Sequence, residues 1–371
     1  MRLARLCIVA AVWLATVAAQ SAPTSAAAQI DPLFDWATNG PGAVVAVVDH
    51  GKTVFEKAYG FADVEKHRPL DAHSVFDLAS ITKQFTAMGI MILAERGQLD
   101  YDDSVCKFFP EFSPFGYGIT VRHLLQHTSG LPDYEKLYHD SGFIATNYPR
   151  PAKEAIDTFE PTSREALHFL AGQGKLRFKP GDKWEYSDSG YVVLAQIIEK
   201  VSGESYAKFL KKNIFRPAGM GETIVYDETH PKIKNRALSY DVAATPPRVI
   251  DYTPLNLIYG DGNVNTTIDD MVKWDRVLYT TKLVKASTLA EAFTAGQLNS
   301  GKKFDYGFGW GIRHRHGLDA VEHGGGWVGF RGVITRFPAR QFSVIILSNS
   351  THGKLGEIEQ KIESIYLTNP T

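Results

Sequence analysis

The chain has 371 residues, 44% of them hydrophobic and 22% charged, the balance of a globular protein with ample material for a core. Its formal net charge is −1, with no basic block and no long acidic tail, which gives nucleic acid and anionic membrane surfaces no electrostatic hold. Small molecules or short peptides are the expected partners, and no nucleic acid.

At the N-terminus, Arg2 and Arg5 precede an apolar run over 6–19, and small residues follow. This is the pattern of a secretory signal peptide, cleaved after Ala28 or after Ala19. The run of roughly 14 residues is shorter than the ~20 that span a bilayer, so no stable membrane span is expected after cleavage. The reading divides the chain into a signal peptide at 1–28 and a hydrolase domain at 29–371, exported to the periplasm or secreted. Cys7 falls within the signal, which leaves Cys106 as a small buried residue without a disulfide partner.

The mature chain opens on a β-branched run over 43–48, the turn Asp49-His50-Gly51 and a second strand over 53–59, together a hairpin. Apolar residues at helical spacing then predict helices over 83–96, 121–126, 164–172, 191–201, 206–214 and 268–278. Strands return over 306–312, 320–323, 331–337 and 342–348, and a last helix is expected over 355–367. Strands from both ends can share one sheet, with the middle forming a helical lobe and a ligand cleft between them.

The chemistry centres on Ser80-Ile81-Thr82-Lys83. Four S-x-x-K strings occur, at Ser80, Ser104, Ser205 and Ser300, and context separates them. Ser104 runs into Phe108-Phe109-Pro110, Ser205 reads as an N-cap, and Ser300 sits in a Ser-Gly-Lys-Lys turn. Only Ser80 follows a strand-like Val75-Phe76 and opens a long apolar helix. Residues three apart share a helix face, so the Lys83 amine can reach the Ser80 hydroxyl. To act as a base near neutrality, that amine must fall well below its free value of ~10.4.

Two further clusters lie downstream. Tyr186-Ser187-Asp188 follows the Pro180-Gly181 turn on a loop, and a tyrosine beside an ammonium can relay protons. His323-Gly324-Gly325, with Gly326 after it, ends a strand, where small residues let a substrate backbone come close. Competing patterns fail: no H-E-x-x-H is present, and His123 and His127 read as packing or capping residues. Gly203-Glu-Ser-Tyr-Ala207 is an incomplete G-x-S-x-G. The Gly324–Gly329 glycines precede a strand and not the helix that a dinucleotide fingerprint needs.

Ser80-x-x-Lys83, Tyr186-x-Asp188 and His323-x-Gly325 together resemble the S-x-x-K, Y-x-N and [K/H]-x-G motifs of the serine β-lactamase and penicillin-binding-protein superfamily. That group includes class C β-lactamases, D-Ala-D-Ala carboxypeptidases, D-aminopeptidases and family VIII esterases. The strings Leu78-Ala-Ser-Ile-Thr-Lys83, Leu124-Leu-Gln-His-Thr-Ser-Gly-Leu131 and Tyr306-Gly-Phe-Gly-Trp-Gly311 are similar to that family as well, so the resemblance covers roughly residues 34–367. It implies an α/β protein of the β-lactamase/transpeptidase-like fold, an antiparallel sheet flanked by helices plus a helical lobe. It further implies Ser80 as nucleophile, Lys83 and Tyr186 as proton-transfer partners, and the Ser80 and Gly326 N–H groups as oxyanion donors. Asp188, His323, Gly325 and Gly326 would contact substrate, and neither metal nor other cofactor takes part.

Two departures shape the expected function. Asp188 replaces an asparagine, and either pairs with Lys83 and holds it protonated or binds a cationic substrate group. His323 replaces lysine and weakens the positive charge offered to a substrate carboxylate. A serine hydrolase acting on a small ester or a D-amino-acid peptide is therefore favoured over a β-lactamase. A penicillin-binding or sensor protein that acylates weakly is the other alternative.

Overall fold

The computed structural model describes residues 25–141 and 160–368, and the apolar run over 6–19 with Arg2, Arg5 and Cys7 lies outside them. Six strands build one sheet: β1 (Ala43–Asp49), β2 (Lys52–Tyr59), β3 (Gly311–Arg315), β4 (Leu318–Trp327), β5 (Phe330–Phe337) and β6 (Phe342–Ser348). Their order is β3-β4-β5-β6-β1-β2, and every pair is antiparallel. The two ends of the chain meet in the middle of it, with Ala43 opposite Ser348 and Asp49 opposite Phe342.

The unbroken apolar run of β1 follows from burial on both faces. Val45 and Val47 join Phe34, Ile346, Ile358 and Ile362 in one core layer, covered by the last helix, Leu355–Leu367. Val44, Ala46 and Val48 join Phe85, Met88, Met271 and Ile345 in the layer on the other face. Two long helices matter for the site: α1 (Lys83–Glu95), buried from Lys83 to Leu93, and α2 (Ser189–Ser202), buried from Ser189 to Ile198. They lie so close that a Cβ on Gly89 would come within 2.7 Å of Ile198 Cδ1. A third helix, α3 (Ile268–Val277), is tied to β5 by a buried ion pair, Arg336 Nε donating to Asp275 Oδ1 at 2.6 Å.

Sheet and helical lobe thus stand as expected, and four local readings are corrected. Strand character is expected over 306–312, but β3 starts only at Gly311; Tyr306 makes an isolated bridge to Gly311, and Gly309 at φ +75° turns the chain between them. The strand expected to end at His323 continues as β4 through all three glycines to Trp327, because β5 pairs with each in turn. The helix expected over 206–214 breaks into Tyr206–Leu210 and a wider π turn, Lys211–Phe215. Cys106 is half-buried rather than buried. Among the described residues, no helix is long and apolar enough to cross a membrane.

Candidate active site

The serine stands on a constrained turn. After the short strand Phe76–Asp77, Leu78 donates its N–H to the Val264 carbonyl at 2.9 Å. Ala79 then takes φ +47°, and its N–H donates to Asp77 Oδ1 at 2.7 Å. A left-handed conformation costs a residue with a Cβ about 1 kcal/mol or more, so the surrounding contacts fix this turn. Ser80 follows, half-buried, in the 3₁₀ turn Ala79–Thr82 that feeds α1, where backbone N–H groups lack intrahelical acceptors. Gly325 of β4 comes so close behind that a Cβ there would fall 2.2 Å from the Leu78 carbonyl oxygen. The rival serines do other work: Ser104 and Ser205 cap short helices, and Ser300 lies in an exposed turn.

Lys83 connects the parts. Its Nζ donates to Ser80 Oγ at 2.9 Å, to Asp188 Oδ1 at 2.6 Å and to the Asp261 carbonyl at 3.1 Å, which uses all three of its N–H bonds. The side chain is fully buried. Burial works against an ammonium here, but negative charge at Asp188, Tyr186 and Asp261 outweighs it and holds the amine above the usual lysine range. The depressed amine that a lysine base requires is therefore not found. Of the two alternatives for Asp188, pairing with Lys83 is the one observed.

Tyr186 reaches the same point from the loop before α2. One side of its ring is exposed, yet the ring lies 5.0 Å from Lys83 Nζ. Burial of the hydroxyl pushes the phenol up to about 12, with Lys83 pulling down and Asp188 pushing up. His127, read from sequence as a packing residue, is a support for it: the buried imidazole lies beneath Tyr186, ring centroids 4.3 Å apart. Burial, with Lys83 and His323 nearby, keeps that imidazole neutral, its pKa well below the usual histidine range.

His323 also carries no charge. Its Nδ1 lies 2.6 Å from the Gly324 carbonyl, which can only accept, so Nδ1 holds the proton and Nε2 accepts the Tyr306 hydroxyl at 2.9 Å. Burial first and Lys83 second push it down to about 3. Gly324 and Gly326 are exposed on β4, and Gly326 lines the same small cavity as Ser80.

On the other side of Ser80 lie residues that the sequence did not single out. Asp133 accepts the Asp188 N–H at 2.9 Å, Tyr134 donates its hydroxyl to Asp261 Oδ2 at 2.9 Å, and Glu135 adds a third acid beside them. Burial and the nearby charge of Asp188 raise the carboxyl groups of Asp133, Glu135 and Asp261 above the ordinary range. Glycine-flanked Asp261 and the Pro132–Glu135 turn signal loops; nothing local in either says that they meet.

The β-lactamase family model matches residues 27–364, and the chain belongs to the β-lactamase family. It is 38% identical to penicillin-binding protein 4* of Bacillus subtilis over 337 residues, 86% of this chain and 70% of that protein. A D-aminopeptidase of Gluconobacter oxydans is 28% identical over 315 residues, 84% of this chain but only 56% of that protein. Among solved structures, the octameric penicillin-binding protein homologue from Pyrococcus abyssi superposes with a TM-score of 0.76 at 30% identity, over 89% of this chain and 74% of that one.

Proposed function

We propose that the chain is a serine hydrolase that cleaves a small ester or a D-amino-acid peptide through an acyl-serine intermediate. The observation that carries this reading is the contact of Lys83 Nζ with Ser80 Oγ at 2.9 Å on a constrained turn. Ser80 Oγ attacks the carbonyl, and the N–H groups of Ser80 and Gly326 receive the oxyanion. Tyr186, as its phenolate beside the Lys83 ammonium, takes the Ser80 proton and passes it to the leaving group. The same phenolate then takes a proton from the water that attacks the acyl-serine, and Ser80 regains its own as the acid departs. Lys83 itself stays an ammonium that fixes Ser80 and stabilises the phenolate.

Two alternatives differ in what speaks for them. A β-lactamase reading loses support because His323 is neutral and Asp188 offers acceptors where an amide would donate. A slowly acylating penicillin-binding or sensor protein gains support from the protonated Lys83 and the high Tyr186, which leave little ready base at neutral pH. Labelling with a p-nitrophenyl ester and peptide mapping tests the main reading: the added mass should sit on Ser80 and turn over. Mass on Ser104, Ser205 or Ser300 refutes it, and a Ser80 adduct that persists for hours selects the sensor.

The proposal includes export, with a domain at 29–371 left after removal of 1–28. The helix Ala26–Ile30 buries Ile30, so cleavage after Ala19 would leave that helix whole. N-terminal sequencing of exported protein should begin at Gln20 or Gln29, and recovery of intact Met1 in the cytoplasm would contradict it.

A further inference from the structure

Beside Ser80 lies a cavity of about 130 Å³, lined among others by Tyr134, Glu135, Asp188, Asp261 and Gly326. Carboxylate oxygens of Glu135, Asp188 and Asp261 come within 4.8 Å of one another around it. Asp261 is only 6% exposed. Its Oδ2 accepts the Tyr134 hydroxyl, but its Oδ1, wholly buried, has no hydrogen-bond partner. A buried acceptor left without a donor costs about 1–3 kcal/mol, so it marks a place where a donor belongs.

The neighbouring Lys83 does not supply that donor. Lys83 spends its three N–H bonds on Ser80, Asp188 and the Asp261 backbone, and it balances one carboxylate of the three. No lysine or arginine lines the cavity among the described residues. Glu135 and Asp261 are therefore left without a counter-charge to favour their ionised forms, and the site is short of N–H donors. A primary ammonium brings both, with three donors on one tetrahedral centre. Mg²⁺ or Ca²⁺ fits less well, since each takes six or more oxygen ligands, and any divalent cation would stand beside the Lys83 ammonium. The volume suits an amino group with a small substituent.

Because Ser80 and Gly326 line the same cavity, a carbonyl held by them sets the ammonium on the acyl side of the scissile bond. We infer that Glu135 and Asp261, with Asp188, bind the free ammonium of an aminoacyl group, which makes unblocked amino-acid esters and amides the substrate class. This rests on the serine-hydrolase reading.

The test compares p-nitrophenyl esters and p-nitroanilides of D- and L-alanine, with the amine free or acetylated, against p-nitrophenyl propionate, which lacks the amine. A site built around a buried hydrogen-bonding group discriminates strongly against analogues that lack it. The free-amine substrate should exceed its acetylated partner by about 100-fold or more in kcat/KM. In Glu135→Gln and in Asp261→Asn, the ratio of free-amine to propionate turnover should fall at least about tenfold. Turnover of the propionate ester through Ser80 with no preference for the free amine overturns the inference and leaves the hydrolase reading intact. Failure of every substrate to acylate Ser80 overturns both. Turnover lost to EDTA and restored by Mg²⁺, Ca²⁺ or Zn²⁺, with no amine preference, assigns the cavity to a metal ion and overturns the inference.

Discussion

The two flanks of Ser80 are built from opposite kinds of acid, and burial acts on them in opposite senses. On one flank, burial pushes the carboxyl groups of Asp133, Glu135 and Asp261 up and so works against their ionisation. On the other, His127 and His323 are pushed down, so protons stay off groups that are ordinarily half charged. In both cases an apolar surrounding disfavours the ion, whatever its sign. Lys83 remains between them as a held cation, because Asp188 stands 2.6 Å away. The flanks therefore treat ligands differently. A cation that enters the acidic flank meets carboxyl groups that it can help to ionise, whereas the two imidazoles themselves offer an anion no charge.

The centre of this contrast should be the most sensitive to change. Lys83→Ala and Tyr186→Phe are each expected to lower kcat on p-nitrophenyl propionate by about 10²-fold or more, the scale for a positioned proton-transfer group. Lys83→Ala has the wider effect, since it also leaves Asp188 without its partner. Near-native turnover in a folded variant would remove that residue from the mechanism.

Next in size is the pH response. Tyr186 is faced by Lys83, Asp188, Ser80 and the ring of His127, and its phenol at about 12 is deprotonated only at high pH. Below that value the phenolate fraction grows about tenfold per pH unit, so kcat/KM on the propionate ester should climb from pH 7 towards 10. Neither His127 nor His323 should add a limb between pH 5 and 8, because both are already neutral there. Asp188→Asn removes an anion that raises both Tyr186 and Lys83. The rising limb should then move to lower pH by about one unit, with a relative gain in penicillin acylation. A profile and a substrate ratio that both stay put would reduce Asp188 to a structural role.

The smallest effect tests the acidic flank through stability. Glu135 titrates higher in the folded chain than in the unfolded one, so between those two values the folded chain binds more protons. Stability is then full below the unfolded pKa and declines as pH rises towards the folded one. Glu135→Gln escapes that loss, and its Tm at pH 8 should exceed the wild-type value by about 2 °C, with the gap closing near pH 4. A Tm that falls at pH 8 would mean that Glu135 is a needed ion and not a strained one.

What could be read from sequence follows the same division. The hairpin of β1 and β2 and the long apolar helix after Ser80 are local patterns, and three short motifs mark the middle of the site. The rest depends on approach in space. Glu135 and Asp261 are lone acids in loops, and each alone reads as a solvated residue; only the packing of the loops around α2 sets them together. The charge on Lys83 was open for the same reason, since it turns on a counter-ion 105 positions away. Tyr306 misled in another way: its alternation with glycine looks like a strand, but Gly309 at φ +75° turns the chain back to bring the tyrosine to His323.

The order of strands has a kinetic meaning. β1 lies between β2 and β6, so one side of the first strand stays unpaired until the residues around 342–348 arrive. Contacts that span some 300 positions are slow to close. A chain threaded from its N-terminus through a translocation pore would keep its central sheet open for almost the whole passage. If the chain is exported as proposed, premature folding that would jam such a pore would be postponed by the topology itself.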